Sequence, residues 1–403
     1  MRIKEAAFFV LFPVVFAVAV SISFFEIFSG IFLGLSLLAF FKSKNRSVFK
    51  NAFVFFVLVY FLMTLLSIMQ SDYWWVSARG AFKVFRQILL CFSVIFILDS
   101  EGRLKKIMQW ILVVGVLIGV DALVQSWVGF DFLRGRTMTP LLADVGRLTG
   151  PFRHANDFST YLVVLFMLFL VFSAAPLRSH SFKRRLFYLI GLALTAYCLL
   201  RTYSRGAWMA LIGTWLMMVF IRKSRFLALG LLVLLSWGAF FAPPLMKMRL
   251  AGFSERHSGT LIERLELWGE SARMIKQNPW FGLGVNTYAK NEPRYKSGKP
   301  NIDNQYAHNG YLQMAAEIGI LGLASFLVFL LVFFVGTLPV FMNSPDHFLK
   351  TAGIGLVSGI LAFLLHALME TNLHSLLLVN WFWLLLGVTW AVRNQILREK
   401  TAG

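Results

Sequence analysis

The feature that most constrains this chain is a series of apolar runs, each close to the roughly 20 residues that a helix needs to cross a bilayer. Because the segments between most runs are short and polar, each run predicts one membrane-spanning helix. About twelve spans are predicted, at residues 6–24, 27–41, 51–69, 86–99, 107–129, 157–175, 186–201, 207–221, 226–243, 316–341, 351–369 and 375–391.

The composition excludes an ordinary soluble domain. Of the 403 residues, 58% are hydrophobic and 14% are charged, and the mean hydropathy is +0.70. The alternating pattern of an outer-membrane barrel is absent, whereas 42 Phe and 12 Trp suit lipid-facing helices and interfacial belts. Cys91 and Cys198 lie inside apolar runs without metal-ligand spacing, so no chemistry is assigned to them. The predicted fold class is therefore an all-α integral membrane protein.

The basic residues between the spans predict the orientation, because Lys and Arg in short loops stay on the cytoplasmic side. With the N-terminus inside, the basic clusters at residues 42–50, 103–106 and 183–185 are all cytoplasmic. Both termini are then cytoplasmic as well. The chain divides into spans one to nine with short loops (1–243), a long outer loop (244–310), and the last three spans with the C-terminus (311–403).

The net charge of +20 exceeds what this topology requires. Short outer loops hold several basic residues, among them Arg134, Arg136, Arg147 and Arg153. Nucleic acid is not expected on that side of a membrane, so the sequence favours a phosphorylated lipid as the anionic partner.

The long outer loop is predicted to contain one helix. Thr260, followed three residues later by Glu263, is a capping box, and Asn278-Pro279 is a stop signal. Apolar residues at helical spacing predict a single apolar face, formed by Leu261, Leu265, Trp268, Ala272 and Ile275.

Four patches carry a family resemblance. "TGPFRHANDFSTYL" (149–162), "RTYSRGAWMA" (201–210), "ERLELWGESARMIKQNPWFGLGVNTY" (263–288) and "AHNGYLQMAAEIGILG" (307–322) occur in the order and spacing of the O-antigen ligase and polymerase superfamily. The chain resembles this superfamily from about residue 145 to 325. The first 140 residues carry no comparable motif.

The resemblance implies a GT-C-like membrane glycosyltransferase of the bacterial cell inner membrane, acting on the periplasmic side. Such enzymes move a glycan from undecaprenyl diphosphate to an acceptor without a metal or nucleotide cofactor. For a ligase the donor carries O-antigen and the acceptor is the lipid A core, so the role lies in lipopolysaccharide biosynthesis. By motif position the resemblance implies catalytic roles for His308, Arg205 and Arg264 and a substrate-binding role for Asn156. Arg201, Arg153, His154 and Asn309 lie close to these positions in the patches and are further candidates for substrate binding.

These residue types suit the implied chemistry. Guanidinium groups bind phosphate oxygens through paired, charge-assisted hydrogen bonds, so Arg205 and Arg264 would hold the diphosphate and stabilise its developing charge. The acceptor hydroxyl must lose a proton as it attacks, and His308 would take that proton as general base. The imidazole would stand at the membrane edge because both lipid-anchored substrates meet there.

The same residues could instead have purely structural roles. His308 next to Asn309 is compatible with a capping or packing role, and arginines at span ends commonly anchor a helix at the interface. Arg264 could pair with Glu263 or Glu270 on one helix, and Asp121, inside a span, with Arg86 or Arg201. His366, Glu370, His374 and Glu317 could be partners of the site or plain helix-end residues, and the second interpretation is preferred.

Two other functions stay open. A polymerase of the same superfamily would share the donor and differ in the acceptor. A lipid-linked glycan flippase or transporter would form no bond, but its polar sites are expected near the midplane of two related halves, and no internal repeat is evident.

Overall fold

The computed structural model describes residues 2–43, 49–142, 145–175, 181–222, 230, 232, 255–296 and 306–402. Within them the regular secondary structure is helical apart from one small β-hairpin. The helices are α1 (Arg2–Val20), α2 (Ile22–Phe41), α3 (Ala52–Leu66), α4 (Trp74–Ile97), α5 (Glu101–Val128), α6 (Ala155–Ser173), α7 (Phe182–Thr202), α8 (Arg205–Arg222), α9 (Glu255–Gln277), α10 (Tyr288–Asn291), α11 (Gly310–Met342), α12 (His347–His366) and α13 (Leu376–Ala402). Short 3-10 turns follow α3 (Ser67–Gln70) and α10 (Glu292–Arg294), and the hairpin pairs β1 (Thr139–Leu142) with β2 (Val145–Arg147).

Ten of the described helices are long and apolar enough to cross a membrane, and α8 supplies a shorter apolar stretch, Arg205–Ile221. The predicted all-α membrane fold is therefore confirmed. Eleven of the twelve predicted spans fall on these helices. The ninth, 226–243, lies outside the described residues apart from 230 and 232.

The prediction for the fourth span placed its start too late. The structure begins α4 at Trp74, although residues 74–86 are rich in polar and basic side chains. Ser77 and Gly80 are buried on this segment because they face the loop around Gly284 and Val285. Hydropathy alone does not detect such a segment, since its inner face contacts polar protein rather than lipid.

Consecutive spans alternate in direction from α1 to α8 and again from α11 to α13, which gives the described bundle two distinct ends. At one end, called the lower end, Asp99 accepts hydrogen bonds from Lys4 (2.6 Å) and Arg103 (2.9 Å), and its backbone carbonyl accepts one from Arg398. The other end, called the upper end, holds the starts of α6, α8, α11 and α13 and the ends of α5, α7 and α12. The most buried spans are α6, α12 and α13, so the upper end of the core is formed by these three.

A sharp break in α11 admits the loop that follows α9. Gly319 has φ 75° and ψ 175°, which interrupts the helix. The loop binds there through backbone hydrogen bonds from Leu283 to Ala316 and from Gly284 to Glu317, each 2.9 Å. A Cβ on Gly319 would lie 2.1 Å from the Trp280 carbonyl oxygen, so the close approach requires glycine. This insertion fixes the long outer loop to the bundle.

The predicted helix of that loop is α9, and its end before Asn278-Pro279 is confirmed. The predicted start is wrong, because α9 begins at Glu255 and Thr260 lies inside it. The predicted apolar face is also wrong: Leu265 is 55% exposed, and the buried face is formed by Leu267, Glu270, Ser271 and Met274. Ser271 forms a hydrogen bond with Tyr288, so the buried face of α9 is partly polar. The spacing of apolar residues alone therefore predicts the wrong face.

Asp121 has a different partner from either predicted arginine. Its Oδ1 accepts a hydrogen bond from the Phe132 backbone N–H at 2.9 Å, so it fixes the turn that follows α5. Arg86 pairs instead with Glu26. The carboxylate thus has a structural role in the described part of the chain.

Candidate active site at the upper end

Three side chains from distant segments converge on the carboxylate of Glu370. This residue lies in the loop between α12 and α13, and its side chain is 11% exposed. Arg264 Nη2 donates to Oε1 at 2.7 Å and Asn156 Nδ2 donates to the same oxygen at 2.6 Å. His308 Nδ1 lies 3.2 Å from Oε2. We call Glu370, Arg264, Asn156 and His308 the Glu370 cluster.

The start of α11 positions the imidazole. His308 adopts the left-handed backbone conformation, with φ 47°, directly before the helix. The Asn309 side chain accepts hydrogen bonds from Tyr311 N and Leu312 N, 3.0 Å each, and so caps α11. Gly310 N donates to the backbone carbonyls of Ala367 and Glu370, which ties the strained turn to the loop that carries the carboxylate. These two backbone hydrogen bonds therefore hold His308 close to Glu370.

A second chain of hydrogen bonds extends the cluster toward the end of α7. Arg147 Nη2 donates to Asn156 Oδ1 at 2.6 Å, and its Nε donates to the Thr202 carbonyl at 2.7 Å. The hairpin places Arg147 there, because Leu148 N donates to the Arg201 carbonyl. Asn156 thus connects a guanidinium on one side to a carboxylate on the other.

The electrostatics of the cluster keep Glu370 ionised. Burial alone would raise the pKa of this carboxyl, but the hydrogen bond from His308 and the charges of His308 and Arg264 outweigh burial. The net effect lowers the pKa of Glu370 below its ordinary value of 4.5. An anionic Glu370 favours a proton on His308 Nδ1, which leaves Nε2 as the acceptor nitrogen of a neutral ring.

Arg205 is the first residue of α8, beside the same loop. Its neighbour Gly206 packs so closely against α12 that a Cβ would lie 3.1 Å from His366 Nε2 and 3.0 Å from Met369 Cβ. The backbone of Arg205 therefore lies next to the segment that ends in Glu370. Arg201, in the last turn of α7, has a buried Nε without a hydrogen-bond partner among the described residues.

Arg153 and His154 are exposed at the start of α6, on the side of the cluster where Arg136 and Arg147 lie. Partial burial and the charge of Arg153 lower the pKa of His154, with further contributions from Arg136 and Arg147. Burial and neighbouring Arg134 likewise lower the pKa of Arg136. The upper end thus concentrates positive charge on this side, which we call the arginine side.

The structure brings together His308, Arg264 and Asn156, and it places Arg205, Arg201, Arg153 and His154 at the same end. Asn309 is at the predicted place, but its amide oxygen caps α11. The interpretation of Glu370 as a plain helix-end residue is wrong. The only signal for its role was an acidic residue in a short outer loop, and the sequence does not show which groups surround it.

Comparison with known families places this geometry in context. Residues 190–327 match the family model described as O-antigen ligase. Over these residues the chain is similar to the O-antigen ligase family. The match runs from within α7 to the middle of α11 and includes Arg205, Arg264 and His308. No curated protein matches the chain.

The similarity to the O-antigen ligase family indicates a glycosyltransferase-like activity on a lipid-linked polysaccharide. Asn156 and Glu370 lie outside the matched segment, on opposite sides of it. The cluster therefore joins the matched segment to α6 and to the α12–α13 loop, and its hub, Glu370, comes from a part of the chain that the match does not cover.

Proposed function

We propose that the protein is an O-antigen ligase of the bacterial inner membrane, which transfers a glycan from undecaprenyl diphosphate to the lipid A core at the periplasmic face. The observation that carries this proposal is the His308–Glu370 contact of 3.2 Å beside the Arg264–Glu370 contact of 2.7 Å. Glycan transfer from a diphosphate needs a base for the acceptor hydroxyl and a cation for the leaving diphosphate. His308 and Arg264 provide both at the upper end of the bundle. The match to the O-antigen ligase family favours the ligase over other transferases.

On the acceptor side, His308 acts as general base. With Nδ1–H donated to Glu370, Nε2 accepts the proton of the acceptor hydroxyl as the hydroxyl oxygen bonds to the anomeric carbon of the donor. Glu370 is a positioning residue in this scheme: it fixes the ring orientation and stabilises the imidazolium that forms.

On the donor side, the bond between the anomeric carbon and the diphosphate oxygen breaks, and negative charge grows on the leaving lipid diphosphate. Arg264 and Arg205 bind that diphosphate, and their charge stabilises the transition state more than the ground state. Arg201, Arg153 and His154 extend the binding surface along the arginine side. In this proposal the guanidinium groups take the part that a divalent metal plays in other transferases.

The distribution of charge supports a periplasmic site. Lys4, Arg103 and Arg398 lie at the lower end, where Lys and Arg in short segments mark the cytoplasmic face. Both termini belong to that end, because α1 begins and α13 finishes there. The Glu370 cluster then lies on the periplasmic side, where lipid-linked O-antigen and lipid A core would meet.

Transfer by purified protein in liposomes tests the proposal. Lipid-linked glycan as donor and lipid A core as acceptor should give a glycosylated core, and Arg205→Ala should abolish the product without loss of membrane insertion. Product formation should survive an excess of chelator.

Other products would point to other functions. Longer lipid-linked glycan without any product on the core would identify a polymerase. Movement of the donor between leaflets without bond formation would identify a transporter. Either result would overturn the proposed ligase.

A further inference from the structure

A cavity at the upper end lies outside the Glu370 cluster. It occupies about 230 Å³ between α3, α4, α11, α13 and the loop inserted at Gly319. Asn286, Ala289 and Tyr306 form its mouth, and its deep end is aromatic, with Tyr60, Phe382 and Trp383. We call this cavity the α4–α11 cleft. None of the described residues that face it belongs to the Glu370 cluster.

One wall of the cleft carries an unsatisfied polar atom. Gln313 is 2% exposed, and its Oε1 has no hydrogen-bond partner among the described residues. Its amide nitrogen donates to Glu317, so the side chain is held in place with its acceptor free. An unpaired buried acceptor costs free energy, and Gln313 Oε1 can gain a partner when its side chain turns toward a donor in the cleft.

The lining suits an uncharged sugar. Amides such as Gln313 and Gln87 offer both donors and acceptors to hydroxyl groups, and aromatic walls provide apolar contact for the ring carbons. A diphosphate is less well matched here: Lys83 and His374 face the cleft, but so does the carboxylate of Glu317. The arginine side, across the His308 segment, is where positive charge concentrates.

The cleft adjoins the segment that carries the base. His374 lines the cleft, and its Nε2 lies 3.2 Å from the carbonyl oxygen of Gly310, two residues after His308. The His308–Gly310 turn thus separates the arginine side from the α4–α11 cleft. A ligand in the cleft would therefore lie beside the backbone that follows His308.

We propose that the α4–α11 cleft binds the terminal sugar of the acceptor glycan and presents its hydroxyl to His308. This inference rests on the proposed function, since it assigns the acceptor of that reaction. The donor diphosphate binds on the arginine side, so the two substrates enter from opposite sides of the His308–Gly310 turn.

Two variants test the cleft directly. Gln313→Leu removes the free acceptor at similar volume, and Ala289→Trp fills the mouth; Ala272→Trp, at an exposed position on α9, is the matched control. In the liposome assay the first two should raise KM for lipid A core at least about tenfold and leave KM for the donor unchanged, because lost contacts of this kind weaken binding of one substrate only. Ala272→Trp should match the wild type.

Binding of core oligosaccharide without donor separates this inference from the proposed function. The wild type should bind the oligosaccharide, and both cleft variants should bind it about tenfold more weakly even where no transfer occurs, because binding does not require the bond-forming step. Absence of binding by the wild type, unchanged binding by both variants, or a raised KM for the donor would each overturn the assignment.

Discussion

Arg264 Nη2 lies 2.7 Å from Glu370 Oε1, although the two residues are 106 positions apart in the chain. The same carboxylate contacts His308 and Asn156, so one buried anion organises a cation, a base and an amide. A buried carboxylate is costly unless its partners satisfy it, and here three do. This arrangement makes Glu370 the residue on which the geometry of the candidate site depends.

Glu370→Gln should reduce glycan transfer while the protein still inserts and purifies as a monodisperse species. The amide cannot stabilise an imidazolium, and it does not fix the Nδ1–H tautomer of His308. The expected loss of kcat is about 100-fold or more, the scale of general-base help. Glu370→Asp, which keeps the charge, should lose less activity than Glu370→Gln, and equal activity of wild type and Glu370→Gln would rule out the positioning role.

Arg264→Lys tests whether the guanidinium fork matters beyond its charge. Lys is a point charge and does not reproduce paired bonds to phosphate, so transfer should fall about 100-fold, as for loss of one preorganised donor. Arg273→Lys is the matched control on the same helix, because Arg273 donates to the Tyr295 carbonyl away from the cluster. Initial rates at saturating acceptor measure both, and equal rates for the two variants would show that the fork has no special part.

The lowered pKa of Glu370 predicts a pH dependence of stability. A carboxyl whose pKa is lower in the folded state stabilises the fold above its ordinary value of 4.5, and this contribution is lost as pH falls through the folded-state pKa. The difference in Tm between the wild type and Glu370→Gln should therefore be constant from neutral pH down to the ordinary pKa of 4.5. At lower pH this difference should shrink. An excess that grows on acidification would contradict the assigned charges.

Gly319→Ala should loosen the inserted loop. The position has φ 75°, and a Cβ would meet the Trp280 carbonyl oxygen at 2.1 Å, so the substitution should destabilise the fold by about 1–3 kcal/mol. Gly30→Ala is the control, since nothing lies within 4 Å of that Cβ. Thermal unfolding in detergent should show a lower Tm for Gly319→Ala alone; the same Tm for both variants would mean that the break in α11 is not required.

The sequence predicts the spans well because their signal is local. An apolar run of sufficient length has few alternatives to a spanning helix, and the described helices fall where these runs are. The start of α4 and the inner face of α9 were missed, because both are set by polar groups of other segments that contact them. Ser271 is buried for its bond to Tyr288, which lies 17 positions away.

The candidate site was predictable only in part, for the same reason. The motif resemblance directs attention to His308, Arg205 and Arg264, each within a recognisable local pattern. Glu370 belongs to no such pattern. Its place at the centre of the cluster depends on partners that are 62, 106 and 214 positions away in the chain. Long-range convergence of this kind leaves no periodicity in the sequence, so only the fold reveals it.

The rate of glycan transfer by His308→Ala, in liposomes that contain lipid-linked glycan and lipid A core, tests the central claim most directly. His347→Ala, an exposed histidine at the lower end, is the control for loss of an imidazole. We expect His308→Ala to lose about 100- to 10,000-fold in kcat, as for removal of a general base, and His347→Ala to retain the wild-type rate. Full activity of His308→Ala would contradict the account.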